Sequence, residues 1–479
     1  MTAGAVAEPT AVELAASTEA GTGVEPQHAV LVLPSTGEFD SRTYRIATTL
    51  LARGHRVTVL ARWSKGLPRE ELVPAGYRIV RIPVSAVEGL PFPRLFATAR
   101  GGYRLLRHRG RVRPPAAAPA SAAAPSSAAG APASTATAPA TPTRRASLPR
   151  RIYGAFVRRL AIPLTIRAHV RLAGEIAPAA DLYHGMAYMG IPVALALGKR
   201  HRGAVVYDAR DIYLEARNMA RMNVAARWLL ARAERGWAHR SSRVITVNDA
   251  YADVMAERLR VRRPLVVMNC SYRFDPPRPP VRRFHDLLDL PPEQRVVLYH
   301  GGLFPHRGIE QLMDAIPDVP GATLVLMGYG VLEPALREAA AAPGLADRVR
   351  FAPAVRPDEL LDWVAAADVV AMPIQPSTLN HRLTTPNKLF EAMAGGVPVV
   401  ASDLPGMATI VRETGCGVLC DPADPESIAG AIRAVLEGSD DDRRGWSDRA
   451  IAAAHGTYSW ERQAAILLEE YSRLTGRPW

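Results

Sequence analysis

The stretch TTPNKLFEAMAGGVPVVASDLPG (384–406) decides the fold class of this chain. Pro386 suits the first turn of a helix, and Gly395-Gly396 suit its end. The next residues, VPVVAS (397–402), form the short apolar run typical of a parallel strand buried on both faces. A helix that leads directly into a buried strand is the repeating step of an α/β protein with a parallel sheet.

The same step recurs on both sides of this stretch. In the second half, the predicted strands are RVVLYHGG (295–302), ATLVLMGYG (322–330), RVRFAPAV (348–355), ADVVAMPI (367–374) and GVLCD (417–421). In the first half, they are HAVLVLP (28–34), HRVTVLAR (55–62), YRIVRIPV (77–84), DLYHGM (181–186), AVVYDARD (204–211), SRVITVND (242–249) and PLVVMN (264–269). Helical patterns separate these runs. The sequence therefore predicts an α/β protein with two Rossmann-like domains that face each other across a cleft.

The composition sets the domain limits. We expect a disordered tail over 1–26, an acceptor-binding domain over 27–276 and a nucleotide-sugar-binding domain over 277–457, with the Pro-rich linker DPPRPPVRR starting near the boundary. The helix within 458–479 is expected to return to the first domain. Residues 114–143 contain only Ala, Pro, Ser, Thr and one Gly, which predicts a disordered insertion.

Charge is divided unevenly along the 479 residues. Residues 1–284 carry 43 Lys and Arg against 19 Asp and Glu, whereas residues 285–479 carry 16 against 27. A basic half favours an anionic partner such as a membrane surface or a nucleic acid. No nucleic-acid-binding motif accompanies the basic residues, and no G-x-G-x-x-G follows the first strand, which argues against a dinucleotide-dependent dehydrogenase.

The cysteines and the termini indicate a cytoplasmic protein. Cys270, Cys416 and Cys420 are too few for a disulfide framework and fit a reducing compartment. No second Cys pair or His cluster accompanies them, so we expect no zinc. No apolar run approaches the ~20 residues that span a bilayer, and residues 1–26 lack the basic start and apolar core of a signal peptide.

Two strand ends in the second half carry residues suited to an anionic ligand. Gly301 and Gly302 end one predicted strand, and Arg307 precedes the next helix, an arrangement that suits a phosphate; an ordinary turn with a solvated Arg is the alternative. Lys388 and Glu391 share a helix face, where they could meet a phosphate and a ribose; an exposed ion pair is the alternative. Gly328 in MGYG and the loop 401–406 are weaker signals, for which a simple turn is the alternative.

Taken together, GGLFPHRGIEQL, MGYG and NKLFEAMAGGVPVVASDLPG resemble the C-terminal domain of the retaining GT-B glycosyltransferases of family 4, the glycosyl transferases group 1. The resemblance covers most of 285–475. It implies that Arg307 binds the donor diphosphate and Glu391 the donor ribose, with Gly301, Gly302, Gly328, Asn387 and Lys388 completing the donor site. Two positions differ from the family pattern: Leu383 replaces the first glutamate of E-x7-E, and Gly302 replaces an arginine found in many members.

The first half resembles the family more loosely. Gly37 stands alone where members have a Gly-rich loop, and Asp208 and Asp211 are candidates on the acceptor side. His184 is a catalytic candidate together with Arg307 and Lys388; a packed or surface histidine is the alternative.

The resemblance implies transfer of a sugar from a nucleotide-diphosphate donor to a glycan or lipid-linked acceptor, with retention and without a metal. Cell-envelope or exopolysaccharide synthesis is the expected role. The alternatives are another GT-B activity, such as a nucleotide-sugar epimerase, and a catalytically silent scaffold, which the Leu383 and Gly302 differences favour.

Residues 89–174 contain 15 Arg and no Asp or Glu. The segments 93–113 and 144–172 mix Arg with large apolar residues, as interfacial helices do. We therefore expect peripheral docking on the anionic inner face of the plasma membrane; a solvated Arg-rich face is the alternative.

Overall fold

The computed structural model describes residues 25–38, 40–86, 88, 148–215, 219 and 222–479, with only the backbone for 148–160. The segment 93–113, the insertion 114–143 and all but the last two residues of the expected tail lie outside these residues. Residues 84–172 form one unit of the chain, and the remainder forms another that contains both sheets described below. The limits 27–276 and 277–457 stay predictions.

The first sheet has eight strands in the order β3-β4-β2-β1-β5-β6-β7-β8. The strands are β1 His28–Val32, β2 Arg56–Arg62, β3 Glu70–Leu72, β4 Arg78–Ile82, β5 Leu182–Met186, β6 Ala204–Asp208, β7 Arg243–Thr246 and β8 Leu265–Val266. All neighbours pair in parallel except β3 and β4, which are antiparallel. The edge strand β3 was not anticipated, because three residues leave no periodic signal in the sequence.

Helices connect these strands, as the βα pattern predicted. They are α1 Ser41–Ala52, α2 Leu148–Ile176, α3 Ala187–His201, α4 Val224–Arg240 and α5 Asp249–Leu259, with a 3₁₀ turn at Tyr213–Glu215. Asp40 caps α1 by accepting a hydrogen bond from the Thr43 backbone N–H, which fixes where the helix begins after the β1 loop. Gly37, with a φ of +85°, lies in that loop.

The second sheet has six parallel strands in the order β11-β10-β9-β12-β13-β14. The strands are β9 Arg295–Gly302, β10 Ala322–Tyr329, β11 Val349–Ala352, β12 Val369–Met372, β13 Val399–Ser402 and β14 Gly417–Cys420. The helices are α6 Arg283–Leu288, α7 Ile309–Ala315, α8 Glu333–Ala340, α9 Leu360–Val364, α10 Leu379–Leu383, α11 Asn387–Ala394, α12 Pro405–Thr414, α13 Pro425–Leu436, α14 Asp440–His455 and α15 Trp460–Thr475, with a 3₁₀ turn at Ile316–Asp318. The loop expected at 401–406 ends early, because Pro405 already starts α12.

Apolar cores cover the sheets, as the continuous apolar strands require. One cluster lies around Phe390 and Met393 of α11, and another lies around Ile309 and Leu312 of α7. The last helix, α15, belongs to the core of the first sheet, where the Trp460 indole N–H donates to Thr49 Oγ1 over 2.8 Å. Below, the first domain means the part that carries β1–β8 and α15, and the second domain the part that carries β9–β14.

Within the described residues, no helix has both the length and the apolar character needed to cross a bilayer. All three cysteines are buried free thiols.

Candidate functional site

The ends of β9 and β10 form a site whose floor is backbone. Gly328 has a φ of +150°, and a Cβ there would collide with the carbonyl oxygen of Gly301 on the neighbouring strand. Gly308 closes the following loop with a φ of +76°, and a Cβ there would collide with the carbonyl oxygen of Pro373. Only glycine fits such close approaches. Of the three glycines predicted from the sequence at these strand ends, Gly328 makes such an approach, whereas a Cβ at Gly301 would meet open space and one at Gly302 would meet the Phe304 ring.

Two cationic side chains meet at this place. Arg307 lies in the loop before α7 and is half-buried, and Lys388 lies in the first turn of α11 with its Nζ 3.5 Å from the centre of the Tyr299 ring. Neither side chain forms a salt bridge with any residue that the structure describes. Burial, followed by the nearby positive charge of Arg307, holds the pKa of Lys388 well below its usual range. Two neighbouring cations that form no salt bridge are suited to bind an anion.

Glu391 lies one helical turn after Lys388 and is only 7% exposed. Its Oε2 accepts a hydrogen bond from Nε2 of His300 over 2.9 Å. Burial alone would raise the pKa of Glu391, but the hydrogen bond and charge of His300 and the charges of Arg45 and Lys388 outweigh it, and the pKa is lowered. The carboxylate is therefore held ionised, as an acceptor of hydrogen bonds.

Sequence reasoning missed His300. It is a buried residue of β9, directly before the two glycines that end the strand. A histidine between the apolar residues VVLY (296–299) and the two glycines was the available signal.

Asn387, a predicted donor-binding residue, contacts the first domain. Its Oδ1 accepts from Nδ2 of Asn269 over 2.9 Å, and its Nδ2 donates to Oγ of Ser41 over 3.3 Å. Asn269 also accepts, at Oδ1, from the Arg45 guanidinium over 2.9 Å. A polar chain thus runs from α1 to the start of α11, directly beside Lys388.

Helix α10 makes a second connection between the domains. The Asn380 amide pairs with the backbone of Ile212: Oδ1 accepts from its N–H over 2.8 Å, and Nδ2 donates to its carbonyl over 3.1 Å. Tyr251 Oη donates to the Asn380 carbonyl over 3.0 Å. Leu383, where the family pattern has a glutamate, accepts at its carbonyl from Asn248 Nδ2 over 2.8 Å. The segment around Leu383 therefore takes part in the contact between the domains.

His184 and Asp208 lie in the core of the first domain, both with no exposed surface. Arg42 donates to both oxygens of Asp208, over 2.7 and 3.1 Å, and His184 Nε2 lies 3.1 Å from Oδ2 of the same carboxylate. Because a carboxylate only accepts, Nε2 carries the proton, and Nδ1 then accepts from Tyr471 Oη over 2.5 Å. Burial lowers the pKa of His184, which keeps the imidazole neutral.

This environment does not fit the predicted catalytic role of His184. A side chain with no exposed atom cannot touch a substrate, and the packed-histidine alternative explains the geometry. Asp208 is likewise fully buried. Burial opposes its ionisation, but the contact with Arg42 outweighs this and holds the pKa of Asp208 well below the usual range. Asp211 differs from both, because its side chain is exposed and interacts electrostatically with Arg210 and with Arg307 of the second domain.

A separate cavity of about 400 Å³ lies at the ends of β13 and β14. Asp403, Asp421 and Ser427 supply its polar lining. None of the predicted donor-binding residues lines it. Among the described residues, no group of three or more His, Cys, Asp or Glu side chains could hold a metal ion.

Known proteins share both the sequence pattern and the fold. Residues 294–438 match the family model described as Glycosyl transferases group 1. The D-inositol 3-phosphate glycosyltransferase of Xylanimonas cellulosilytica is 34% identical over 195 residues, which are 40% of this chain and 45% of that protein. The chain thus spans less than half the length of this curated relative.

Two solved structures cover nearly the whole chain. Sucrose-phosphate synthase from Thermosynechococcus elongatus superimposes with a TM-score of 0.65 at 18% identity, over 94% of this chain and 99% of that one. HepE of Anabaena in complex with UDP-glucose gives a TM-score of 0.59 at 18% identity, over 94% and 100%. The expected fold class is confirmed: the chain has the GT-B fold, and its residues 294–438 match the model of the group 1 glycosyl transferases.

Proposed function

We propose that this protein transfers a sugar from a nucleotide-diphosphate donor to an acceptor, with retention of the anomeric configuration. One observation carries the proposal: Arg307 and Lys388 interact electrostatically beside the glycine-containing ends of β9 and β10, and neither forms a salt bridge with a described carboxylate. A diphosphate matches this pair in charge, and bare backbone lets it approach closely.

The two cations address the main energetic demand of the reaction. As the bond between the sugar and the diphosphate breaks, negative charge grows on the leaving group. Charges fixed in place before the reaction stabilise that change without having to reorganise. Arg307 and Lys388 take this role in our proposal, and no step is assigned to a metal ion.

Glu391 provides a complementary contact. Held ionised by His300, its carboxylate can accept hydrogen bonds from the ribose hydroxyls of the donor. One carboxylate oxygen is engaged by His300, which leaves the other for this purpose. The donor would therefore be held at its diphosphate by cations and at its ribose by an anion.

UDP-glucose is the first donor to test, because the similarly folded HepE has been solved in complex with it. For the acceptor, we propose a glycan or a lipid-linked molecule bound by the first domain, in cell-envelope or exopolysaccharide synthesis. A phosphorylated polyol is the second acceptor to test, since the related sequence is a D-inositol 3-phosphate glycosyltransferase.

We also propose that the protein works at the inner face of the plasma membrane. The Arg-rich segments 93–113 and 144–172 support this, and α2 supplies a helix over most of the second segment. The positive charge of these segments would attract anionic lipid headgroups.

The experiment measures donor hydrolysis and transfer with UDP-glucose and a panel of other nucleotide sugars. Arg307→Ala and Glu391→Ala should each lose at least about 90% of the activity, since each removes a charge-assisted contact. Arg444→Ala, at an exposed arginine of α14, is the matched control and should keep full activity. Analysis of the product anomer tests retention.

Unchanged rates in both variants with an active donor would overturn the site assignment. Tight donor binding without turnover, with every acceptor class tried, would favour a catalytically silent scaffold instead.

A further inference from the structure

Helix α4 (Val224–Arg240) exposes large apolar side chains on its outer face. Val224 is 86% exposed, Trp228 61% and Leu229 59%. The helix buries a different set of residues against the first domain: Leu230, Glu234 and Ala238. The outer apolar side chains therefore do not serve the packing of the helix.

These side chains form one continuous surface. Val224, Trp228 and Arg232 are spaced four residues apart and follow one side of the helix. Leu229 precedes Arg232 by three residues and lies beside Trp228 on the same side. Exposed apolar residues are ordinary when scattered, but an apolar group on one side of a helix, over about one and a half turns, indicates a surface used for contact.

Among the described residues, the charges on this surface are mainly positive, and the one nearby carboxylate that pairs with α4, Glu215, is shared by Arg227 and Arg258. The one acidic residue of α4, Glu234, is buried and accepts a hydrogen bond from Tyr207 Oη over 2.7 Å. Arg232 and Arg240 are exposed, and neither makes a salt bridge to any part of the chain that the structure describes. The outer face of α4 thus combines an apolar patch with unpaired cations.

We propose that this outer face of α4 docks on an anionic lipid surface. Trp228 and Leu229 would enter the boundary between headgroups and acyl chains, where an indole is favoured because it is apolar with one polar N–H. Arg232 and Arg240 would lie against lipid phosphates. A protein partner fits less well, because the central parts of protein interfaces are depleted in charged residues, whereas here Arg232 directly adjoins the apolar residues.

This inference deepens the membrane part of the proposed function, on which it rests, and adds an element separate from the segments 93–113 and 144–172. It predicts two distinct contributions to the binding of lipid vesicles, one apolar and one electrostatic. Insertion of Trp228 and Leu229 persists at high salt, whereas attraction by the arginines weakens as salt screens it.

The test is flotation of the 479-residue protein with vesicles of phosphatidylglycerol and phosphatidylcholine. The double substitution Trp228→Ser with Leu229→Ser should reduce the partition coefficient by at least about tenfold, because it removes the inserting side chains. Arg232→Glu should weaken binding at low salt and have little effect at high salt. Leu72→Ser on β3, at a leucine that is 74% exposed, is the matched control and should bind as the unchanged protein does.

Vesicle binding by the double variant equal to that of the unchanged protein would overturn the inference. A second result would also overturn it: the unchanged protein forms a dimer in sedimentation, and the double variant loses the dimer but keeps its vesicle binding. The outer face of α4 would then bind a second copy of the chain. Donor turnover with a soluble acceptor is measured in parallel. If the double variant loses vesicle binding but no variant shows any transfer, the docking surface stands and the proposed activity fails.

Discussion

His300 donates a hydrogen bond from Nε2 to Oε2 of Glu391 over 2.9 Å, and both side chains are buried. The bond joins β9 to α11, the two elements that carry Gly301, Gly302 and Lys388 of the proposed donor site. Because the carboxylate only accepts, Nε2 of His300 carries a proton. In the residues that the structure describes, Nδ1 of the same ring has no partner. The imidazole therefore positions the Glu391 carboxylate through a single hydrogen bond.

Replacing His300 tests this positioning role. We expect His300→Leu to raise the KM for the nucleotide sugar about tenfold or more, because a hydrogen bond to a charged group contributes about 1.5–3 kcal/mol. The kcat should change less, since Arg307 and Lys388 stay in place. Steady-state kinetics with the active donor measure both values. His300→Gln, which retains an N–H donor, should recover part of the loss; equal KM values in all three proteins would contradict the role.

The same pair predicts a pH dependence. The pKa of Glu391 is lowered, so its carboxylate stays ionised as the pH falls below the usual range for a glutamate. Removing His300 raises that pKa, and the acid limb of the kcat/KM profile should move to higher pH in His300→Leu. The stabilisation from the ionised group is complete above the pKa of the unfolded state and is lost as the pH falls through the lowered folded value. An acid limb that does not move would show that another group controls it.

We expect Lys388 to stabilise the bound donor but to lower the stability of the protein when no donor is bound. Burial and Arg307 lower its pKa well below the usual range, so a protonated Lys388 is destabilised in the free folded protein relative to the unfolded chain. Lys388→Met should therefore raise the melting temperature of the free protein and abolish the stabilisation that donor adds. The gain should shrink as the pH rises through the lowered pKa, because the unchanged lysine then loses its proton.

Thermal melting with and without UDP-glucose measures both effects. Lys199→Met, at an exposed lysine near the end of α3, is the matched control and should alter neither value. A lower melting temperature for Lys388→Met, or donor stabilisation equal to that of the unchanged protein, would contradict the prediction.

The sequence predicted the parts of the fold that periodicity controls. The apolar runs at 295–302 and 397–402 became buried parallel strands, since a strand covered on both faces needs a continuous apolar run. The pairing of Lys388 with Arg307 followed from the resemblance and from the rule that ligands gather at strand ends.

Contacts between distant segments could not be predicted in the same way. His300 meets Glu391 across 91 positions, and Asn380 meets Ile212 across 168, so no local pattern connects them. His184 shows a second limit of sequence-based prediction. A histidine near a strand end gives the same sequence pattern whether it faces a substrate or a buried carboxylate. The distinction comes from burial and from contacts with distant residues, namely Asp208 on β6 and Tyr471 on the last helix.

The Asp208 network predicts an effect on stability. Asp208→Ala leaves the buried Arg42 guanidinium without its carboxylate, and breaking a buried pair in this way costs about 3–5 kcal/mol. We expect a clearly lower urea midpoint for unfolding. Asp253→Ala is the control, because that carboxylate is exposed and its ion pair with Arg263 should contribute at most about 1 kcal/mol. Similar midpoints for the two variants would contradict the structural role.

Asn380 predicts an effect on the arrangement of the domains. Asn380→Ala removes both hydrogen bonds to Ile212 and leaves a buried backbone N–H and carbonyl unpaired, a cost of about 1–3 kcal/mol for each unsatisfied group. The connection between α10 and the first domain should loosen, and small-angle scattering should show a larger radius of gyration. The kcat should fall, because acceptor and donor are then aligned less often. Donor affinity should stay within about twofold, since Arg307, Lys388 and Glu391 all lie in the second domain and keep their positions.

Asn223→Ala, which removes a helix cap on the first domain, is the matched control: it should lower stability by about 1 kcal/mol and leave the scattering profile unchanged. An unchanged kcat and radius in Asn380→Ala would show that the other contacts alone hold the domains together.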